Sequence, residues 1–324
     1  MNTGRKNIVV LGGGTGTSIV LRGLKKYPVN LTAIPAMADD GGSTGILRRE
    51  LGILPPGDVR QCIIALADDR IHAERLLSYR FSVGTFAGHN AGNILLGALE
   101  LEFGNLEEAL SYCCSLFRIQ GNIYPATFTK TSLVGHFPNK IVQGQSLLHA
   151  KNLEKLLKIT LHPLPKTNPK ALSALQSADA IIFAPGDWYS SIIPNLLIPG
   201  IRNVINKSTA VKIHICNLVT TKKHTDTWSV RTFRKNLEIF LRGHIDYTLY
   251  NNKIPQGKAA MPFTKRGHTF VKIDNNLDEC YISAPLIDTE LVPQRRADPI
   301  LRNPVRHDEC ALAKTIMAII ENHT

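Results

Sequence analysis

Hydrophobic positions along this chain follow two patterns, short unbroken apolar runs and longer stretches with helical spacing. Residues 8–11 and 180–184 are unbroken apolar runs, and 211–216 is a further strand candidate. Such runs are typical of strands buried on both faces of a parallel sheet. Helices are predicted between and after them: 58–67, 71–79, 90–101, 106–117, 225–242 and 308–321. Strands that alternate with helices predict an α/β fold with a doubly wound, mostly parallel sheet.

The chain opens with a β-loop-α-β unit. A glycine run at 12–16 follows the first strand, a helix is predicted over 17–26, and a second strand over 31–37. A second glycine-rich loop, at 39–45, leaves that strand's end. Two later segments also follow predicted strands: 185–189 and Asn217. Because ligands of doubly wound sheets bind at the carboxyl ends of strands, we expect the functional site there.

The first glycine run is typical of an anion-binding loop. Glycines let backbone N–H groups approach an anion closely, and the helix that follows adds partial positive charge. Thr17 stands where the dinucleotide fingerprint needs glycine or alanine, and no Gly-Lys-Ser/Thr of a P-loop follows. A tight turn without a ligand is the alternative, but the glycine density exceeds what a turn requires. The predicted ligand-binding residues are Gly13, Gly14, Thr15 and Gly16.

The second loop combines two carboxylates with glycines and hydroxyl groups. Asp39 and Asp40 can hold Mg²⁺ or accept hydrogen bonds from sugar hydroxyls. Backbone donors and hydroxyls follow at Gly41, Gly42, Ser43 and Thr44. An Asx turn with a helix N-cap uses the same residue types. Because this loop faces the first one across one strand spacing, we favour ligand binding.

Three helix starts carry further candidates. Asp58 follows two prolines and is interpreted as a helix N-cap. The next candidate start contains His89, Asn90 and Asn93. These side chains suit a nucleotide base or a phosphate, with simple capping as the alternative. The last start contains Gly186, Asp187 and Trp188. Its indole ring either stacks on a ligand or anchors the core.

Composition and charge narrow the class of protein. The chain has 324 residues, of which 44% are hydrophobic and 20% charged, which excludes global disorder. A net charge of +12 favours anionic partners such as phosphorylated metabolites, nucleic acid or an acidic membrane surface. No nucleic-acid motif is present, so we expect no specific nucleic acid partner. Six cysteines without a C-x-x-C pair, and no apolar run of 18 residues, predict a cytoplasmic protein without a membrane span.

Seven motifs, spread from the first strand to the tail, are specific in combination. They are VVLGGGTG (9–16), ADDGGSTG (38–45), LRRELGILPPGDVR (47–60), GHNAGN (88–93), SIIPNL (191–196), CNLVT (216–220) and RHD (306–308). Together they resemble the bacterial gluconeogenesis factor family, a branch of the 2-phospho-L-lactate transferase superfamily. The resemblance implies a single Rossmann-like unit over 1–324, with 58–165 as a smaller helical and β insertion subdomain.

This resemblance also implies a ligand and a role. The expected ligand is a nucleotide-sugar, UDP-N-acetylglucosamine, and the role is regulation of central carbon metabolism and cell morphogenesis. The residues 13–16 and 43–44 would line the phosphates. The residues implied to contact base or sugar are His89, Asn90, Asn93, Asn217 and Arg306. Protein partners in metabolism or cell-wall synthesis, and a homo-oligomer, stay open.

The transferase branch implies an alternative, an active enzyme. That branch moves a phosphoryl-lactyl unit from a nucleoside diphosphate-linked carrier onto a deazaflavin precursor with Mg²⁺. In such an enzyme Asp39 and Asp40 would be the catalytic residues and Mg²⁺ the metal. Because the sequence assigns no second acid–base partner, we favour a regulator.

The chain departs from the family pattern in two stretches. Residues 186–189, Gly-Asp-Trp-Tyr, stand where the family has a Gly-Ser-Leu-Tyr-like stretch, which adds a carboxylate and a larger ring. Residues 220–226, Thr-Thr-Lys-Lys-His-Thr-Asp, replace a Gln-Pro-Gly-Glu-Thr-Asp pattern. Both departures bear on the identity of the sugar and the base rather than on the fold.

Overall fold

The computed structural model describes residues 4–253, 269–288 and 305–323. These residues contain two β-sheets and twelve α-helices. The strands are β1 (Asn7–Gly12), β2 (Asn30–Pro35), β3 (Asn122–Ile123), β4 (Ser132–Phe137), β5 (Lys140–Gln143), β6 (Lys158–His162), β7 (Ala180–Phe183), β8 (Val211–Ile215), β9 (Tyr247–Asn251) and β10 (Tyr281–Ala284). The helices are α1 (Gly14–Leu24), α2 (Gly42–Leu51), α3 (Pro56–Leu66), α4 (Arg70–Leu77), α5 (Ala91–Phe103), α6 (Leu106–Leu116), α7 (Gln145–His149), α8 (Pro169–Gln176), α9 (Ile193–Leu197), α10 (Ile201–Lys207), α11 (Val230–Leu241) and α12 (Glu309–Asn322). None of these helices is long and apolar enough to cross a membrane.

Seven parallel strands form the main sheet, in the order β10-β9-β8-β7-β1-β2-β3. The chain moves outwards from β1 through β2 to β3. It then returns to the other side of β1 with β7 and continues outwards to β10. The direction of strand addition therefore reverses between β1 and β7. In doubly wound sheets, ligands bind outside the carboxyl ends of the strands at such a reversal.

The side chains of β1 enter two hydrophobic cores because they alternate between the faces of the sheet. Ile8 and Val10 pack with residues of α1, α3 and α12 on one face. Val9 and Leu11 pack with residues of α8, α9, α10 and α11 on the other. All four side chains are at most 2% exposed. Burial on both faces explains the unbroken apolar run, and helices on both faces confirm the predicted α/β, doubly wound fold.

A second sheet, with the order β5-β4-β6, lies outside the main one. Its strands are antiparallel and come from residues 132–162. Leu133, Ile159 and Leu161 point into the core on one face of the main sheet. The range 58–165 also contains β3, which pairs with β2 in the main sheet. The expected insertion subdomain over 58–165 stays a prediction.

The predicted helices 58–67, 71–79, 90–101 and 106–117 are confirmed as α3 to α6, within two residues at each end. The helix predicted from 225 begins later, at Val230 of α11. Two helices at the cleft begin earlier than predicted or where a loop was predicted. Helix α1 begins at Gly14 rather than at 17, and α2 begins at Gly42, inside the predicted loop. Gly14 and Gly42 have φ angles of +61° and +49°. Because glycine adopts positive φ without strain, the chain turns directly into each helix and needs no longer loop.

Gly16 lies where the fold leaves no room for a side chain. A Cβ atom there would overlap the backbone carbonyl of Pro185, in the loop after β7. Backbone cannot move aside as a flexible side chain can. Gly16→Ala should therefore lower the free energy of unfolding by about 1–3 kcal/mol, the usual cost of overpacking, measured by urea denaturation. Gly4→Ala, with nothing within 4 Å of its Cβ position, is the control. An unchanged transition midpoint in Gly16→Ala would contradict this packing.

Candidate functional site

A cleft of about 250 Å³ opens where β1, β2 and β7 end. Gly14 follows β1, Asp39 follows β2 and Asp187 follows β7, so the cleft lies at the reversal of strand order. Seven of the predicted site residues line it: the ligand-binding candidates Gly14, Gly41, Ser43, Thr44, Asn93 and Asp187, and the catalytic candidate Asp39. A larger depression, of about 810 Å³, lies at the amino ends of β1 and β2 and contains none of them.

Four helices begin at the wall of this cleft. Residues from the first turns of α1, α2, α3 and α5 line it. The N-cap residues of the first three, Gly13, Gly41 and Pro55, make no side-chain capping hydrogen bond. Backbone N–H groups of a first turn, with the positive end of the helix dipole, attract anions. The backbone around the cleft therefore suits an anionic group.

Asp58 connects the glycine run to α3. Its Oδ1 accepts a 2.7 Å hydrogen bond from the backbone N–H of Gly14. A Cβ atom on Gly13 would overlap Oδ2 of the same carboxylate. The interpretation of Asp58 as an N-cap is wrong, because Pro55 is the N-cap residue of α3 and Asp58 lies within its first turn. Its carboxylate is part of the cleft wall instead.

The two adjacent aspartates of the second loop face different ways. Asp39 lines the cleft and accepts the N–H of Gly41 at 3.0 Å. Asp40 accepts hydrogen bonds from the backbone N–H groups of Gln145 and Ser146, both at 2.8 Å, and from the Ser146 hydroxyl at 2.7 Å. Asp40 thus holds the start of α7, whereas Asp39 remains at the cleft.

Burial raises the pKa of Asp39, against the opposing hydrogen bonds of the Gly41 N–H and the Thr44 hydroxyl. The Arg48 guanidinium donates to the Asp39 carbonyl oxygen at 2.8 Å and fixes the backbone at this point. A carboxyl group with a raised pKa in a cleft is typical of functional sites, because it can carry a proton closer to neutral pH.

His89, Asn90 and Asn93 support the start of α2 from the neighbouring α5. The Ser43 hydroxyl and His89 Nδ1 are 3.1 Å apart, and the Asn93 amide donates to the Thr44 hydroxyl at 3.5 Å. Asn90 caps α5 by accepting the N–H of Gly92. Of these three residues, only Asn93 lines the cleft. His89 does not line the cleft but contacts Ser43, which does.

Asp187 and His149 form an ion pair on the opposite wall. Asp187 Oδ2 lies 3.3 Å from His149 Nε2, and its Oδ1 accepts from the Ser190 N–H and hydroxyl. Burial alone raises the pKa of Asp187, but the hydrogen bond and charge of His149, with Ser190, outweigh it and lower the pKa to about 2. The same hydrogen bond raises the pKa of His149. Each partner therefore stabilises the charged form of the other.

Eleven other predicted site residues lie outside the cleft wall. Trp188 is 2% exposed and packs edge-on against Trp228 and Phe233. Its ring offers no open face, so the core-anchoring interpretation replaces ligand stacking. Asn217 exchanges hydrogen bonds with the Gly186 backbone, at 2.8 and 3.1 Å, and braces the loop after β7. The remaining predicted residues outside the cleft wall are Gly13, Thr15, Gly16, Asp40, Gly42, His89, Asn90, Gly186 and Arg306.

Several residues of the cleft wall were not singled out as ligand-binding by sequence reasoning. They are Gly57, Asp58, Arg60, Gln61, Arg80, Gln145, His149, Ser190 and Ser191. The Gly-Asp-Val-Arg end of the 47–60 motif was a usable signal for the first three. No sequence signal marks Gln145 or His149, because α7 reaches the cleft only through the fold.

The chain belongs to the 2-phospho-L-lactate transferase family, which it matches over residues 8–321. A structure neighbour has the same α/β fold. A crystal structure of a member of the UPF0052 family from Bacillus halodurans is similar, with a TM-score of 0.87 and 32% identity. That likeness covers 98% of this chain and 100% of the other.

Curated relatives carry the name "Gluconeogenesis factor". The protein of Halalkalibacterium halodurans is 42% identical over 229 residues, 69% of this chain and 70% of its own length. That of Bacillus subtilis is 36% identical over 256 residues, 77% of this chain and 80% of its own. These relatives confirm the resemblance drawn from the seven motifs.

The raised pKa of Asp39 predicts a stability effect with a definite sign. Since this carboxyl group ionises less readily in the folded protein than in the unfolded chain, its ionisation costs stability as the pH rises through the folded pKa. Asp39→Asn cannot ionise and should unfold at a higher temperature than wild type at pH 7.5. The difference should shrink as the pH falls.

Thermal unfolding followed by circular dichroism from pH 5 to 8 measures this effect. Asp69→Asn is the control, because a backbone hydrogen bond from His72 lowers the pKa of that exposed carboxyl group. At neutral pH, Asp69→Asn should not unfold at a higher temperature than wild type. A less stable Asp39→Asn variant at pH 7.5 would show that Asp39 is ionised and favourably held.

Proposed function

We propose that this protein is a cytoplasmic regulator that binds a nucleotide-sugar, UDP-N-acetylglucosamine, and links it to central carbon metabolism and cell morphogenesis. One observation carries the proposal: the first turns of α1, α2 and α3, none of which is capped by the side chain of its own N-cap residue, meet at one cleft, at the reversal of strand order. A diphosphate is the anion that such backbone donors hold. The gluconeogenesis factor relatives support the metabolic role.

The cleft is large enough for a diphosphate but small for a whole nucleotide-sugar. Small-molecule sites usually have volumes of about 300–1,000 Å³, and this cleft has about 250 Å³. We therefore place the diphosphate between the glycine run and α2, with base and sugar extending beyond it. Arg60 and Arg80 line the same cleft and supply positive charge.

Mg²⁺ fits the donor set of this cleft. Asp39 and Asp58 supply carboxylates, and Thr44 a hydroxyl group. Asn93 Oδ1 is buried and has no hydrogen-bond partner among the described residues. Mg²⁺ prefers hard oxygen ligands and is usually held by one or two carboxylates together with substrate phosphates. Asp39 and Asp58 would hold the ion, which would neutralise phosphate charge.

Gly41→Ala tests the diphosphate position at little cost to folding. Gly41 has a φ of −87°, and its Cβ position meets no atom closer than 3.4 Å. The added methyl group would enter the cleft at the start of α2. UDP-N-acetylglucosamine should raise the melting temperature of wild type by mass action, and calorimetry should find binding about tenfold weaker in Gly41→Ala.

Gly4→Ala, far from the cleft, should bind like wild type. A panel of UDP- and GDP-linked compounds, with and without Mg²⁺, distinguishes the base. If none of them shifts the melting temperature of wild type at millimolar concentration, the cleft does not bind nucleotide-sugars.

An active transferase is the second candidate function. It is favoured by the raised pKa of Asp39 and by the position of Asp58 at the same cleft. A transferase needs such groups to deprotonate an acceptor hydroxyl or to hold a metal at the leaving diphosphate. Their loss should then cost turnover far more than ground-state binding.

Phosphorus NMR of the nucleotide-sugar separates the two functions. Wild type with Mg²⁺ and a panel of hydroxyl acceptors should release no nucleotide, and Asp39→Asn and Asp58→Asn should only change binding. Catalytic, acceptor-dependent release that disappears in a variant still able to bind would make the protein an enzyme.

A further inference from the structure

Three side chains with metal-binding atoms meet beside the cleft. His149, Asp187 and His224 each offer one ligand atom, and these atoms lie within 4.8 Å of one another. His149 comes from the end of α7, Asp187 from the loop after β7, and His224 from the loop between β8 and α11. Three segments far apart in the chain are thus brought together by the fold alone.

The spacing is close to that of a tetrahedral metal site. Zn²⁺ binds nitrogen and oxygen ligands at about 2.0–2.2 Å, which puts two ligands of a tetrahedron about 3.3 Å apart. His149 Nε2 and Asp187 Oδ2 are 3.3 Å apart. The ligand atom of His224 lies within 4.8 Å of both. On metal binding, His149 Nε2 would release to solvent the proton that it shares with Asp187.

The other atoms of the cluster are already held by hydrogen bonds. Asp187 Oδ1 accepts from the Ser190 N–H and hydroxyl, which leaves Oδ2 directed at His149. His224 Nε2 lies 3.0 Å from the backbone carbonyl of His149, which can only accept, so Nε2 carries the proton. Such outer hydrogen bonds orient the ligands of metal sites and fix the histidine tautomer.

The proton on Nε2 leaves the other nitrogen of neutral His224 with a bare lone pair. His224 is 3% exposed, and its Nδ1 is buried without a hydrogen-bond partner among the described residues. A buried acceptor without a partner costs free energy. A metal ion would satisfy this lone pair.

We propose that His149, Asp187 and His224 bind a divalent transition metal ion, with Zn²⁺ as its simplest representative. Two imidazoles and a carboxylate suit this class of ion, whereas Mg²⁺ and Ca²⁺ prefer oxygen ligands. Three protein ligands leave a coordination position for water or for an oxygen atom of a bound molecule. Because His149 and Asp187 line the cleft, that position would face it.

The proposed site uses neither of the carboxylates Asp39 and Asp58, so it is separate from the residues proposed to hold Mg²⁺. It does not depend on nucleotide-sugar binding.

Calorimetric titration of tag-free, chelator-treated full-length protein with Zn²⁺ tests the site. Wild type should bind one ion per chain with an accompanying rise in melting temperature. Loss of outer hydrogen bonds alone typically weakens metal sites about 10–100-fold, so loss of a ligand should weaken binding by at least about 100-fold. The variants are His149→Ala, at an exposed position, and Asp187→Asn, whose amide oxygen can still accept from Ser190.

His72→Ala is the matched control. His72 and Asp69 form another histidine–aspartate pair, at 2.6 Å on α4 and outside the cluster. This variant should bind Zn²⁺ like wild type. In a separate test, Co²⁺ bound to wild type should give the intense visible absorption of a tetrahedral site. The proposal would be overturned if wild type did not bind Zn²⁺, or if His149→Ala and Asp187→Asn bound it as tightly as wild type does. The cluster would then be only an ion pair with a neighbouring histidine.

Discussion

The first turn of α1 lies directly against the loop that follows β7, and the rest of the site depends on this close approach. Gly16 touches the Pro185 backbone, and Gly13 touches the Asp58 carboxylate, at positions where a Cβ atom would overlap its neighbour. Because both lack side chains, the start of α1 reaches the point where strand order reverses. The first role of the glycine run is therefore steric. Its lack of side chains permits the packing that brings its backbone N–H groups to the cleft.

The fold was largely predictable because burial leaves a direct mark on the sequence. A strand covered on both faces must be apolar at every position, and residues 8–11 and 180–184 show this. Helical periodicity likewise located α3 to α6. The start of α1 was placed too late and α2 was not predicted, because glycines that suggest a loop also let a helix begin immediately.

The candidate site was less predictable, since it depends on tertiary contacts between distant segments. Asp39 and Asp40 are adjacent and chemically identical, yet one lines the cleft and the other holds α7, 105 residues further along. His149 reaches the cleft by the same contact. Trp188 shows the converse, because the sequence leaves ligand stacking and core anchoring open and only the packing against Trp228 decides.

The charges in the cleft oppose one another with respect to an anionic ligand. The backbone N–H groups attract an anion, whereas the carboxylate side chains repel it. Asp58 already accepts the Gly14 N–H that a phosphate oxygen would need. Two unit charges 4 Å apart repel each other by about 4 kcal/mol at an effective dielectric constant of 20. An entering diphosphate would meet Asp39, Asp58 and Asp187 together.

Arg60 and Arg80 offset part of this repulsion, since both line the cleft. A divalent cation offsets more, because it places two positive charges between the carboxylates and the phosphates. The oxygen donors around Asp39 suit Mg²⁺, and the imidazoles near Asp187 suit a transition metal. Bound cations would thus allow a cleft rich in carboxylates to hold an anionic ligand at its helix N-termini.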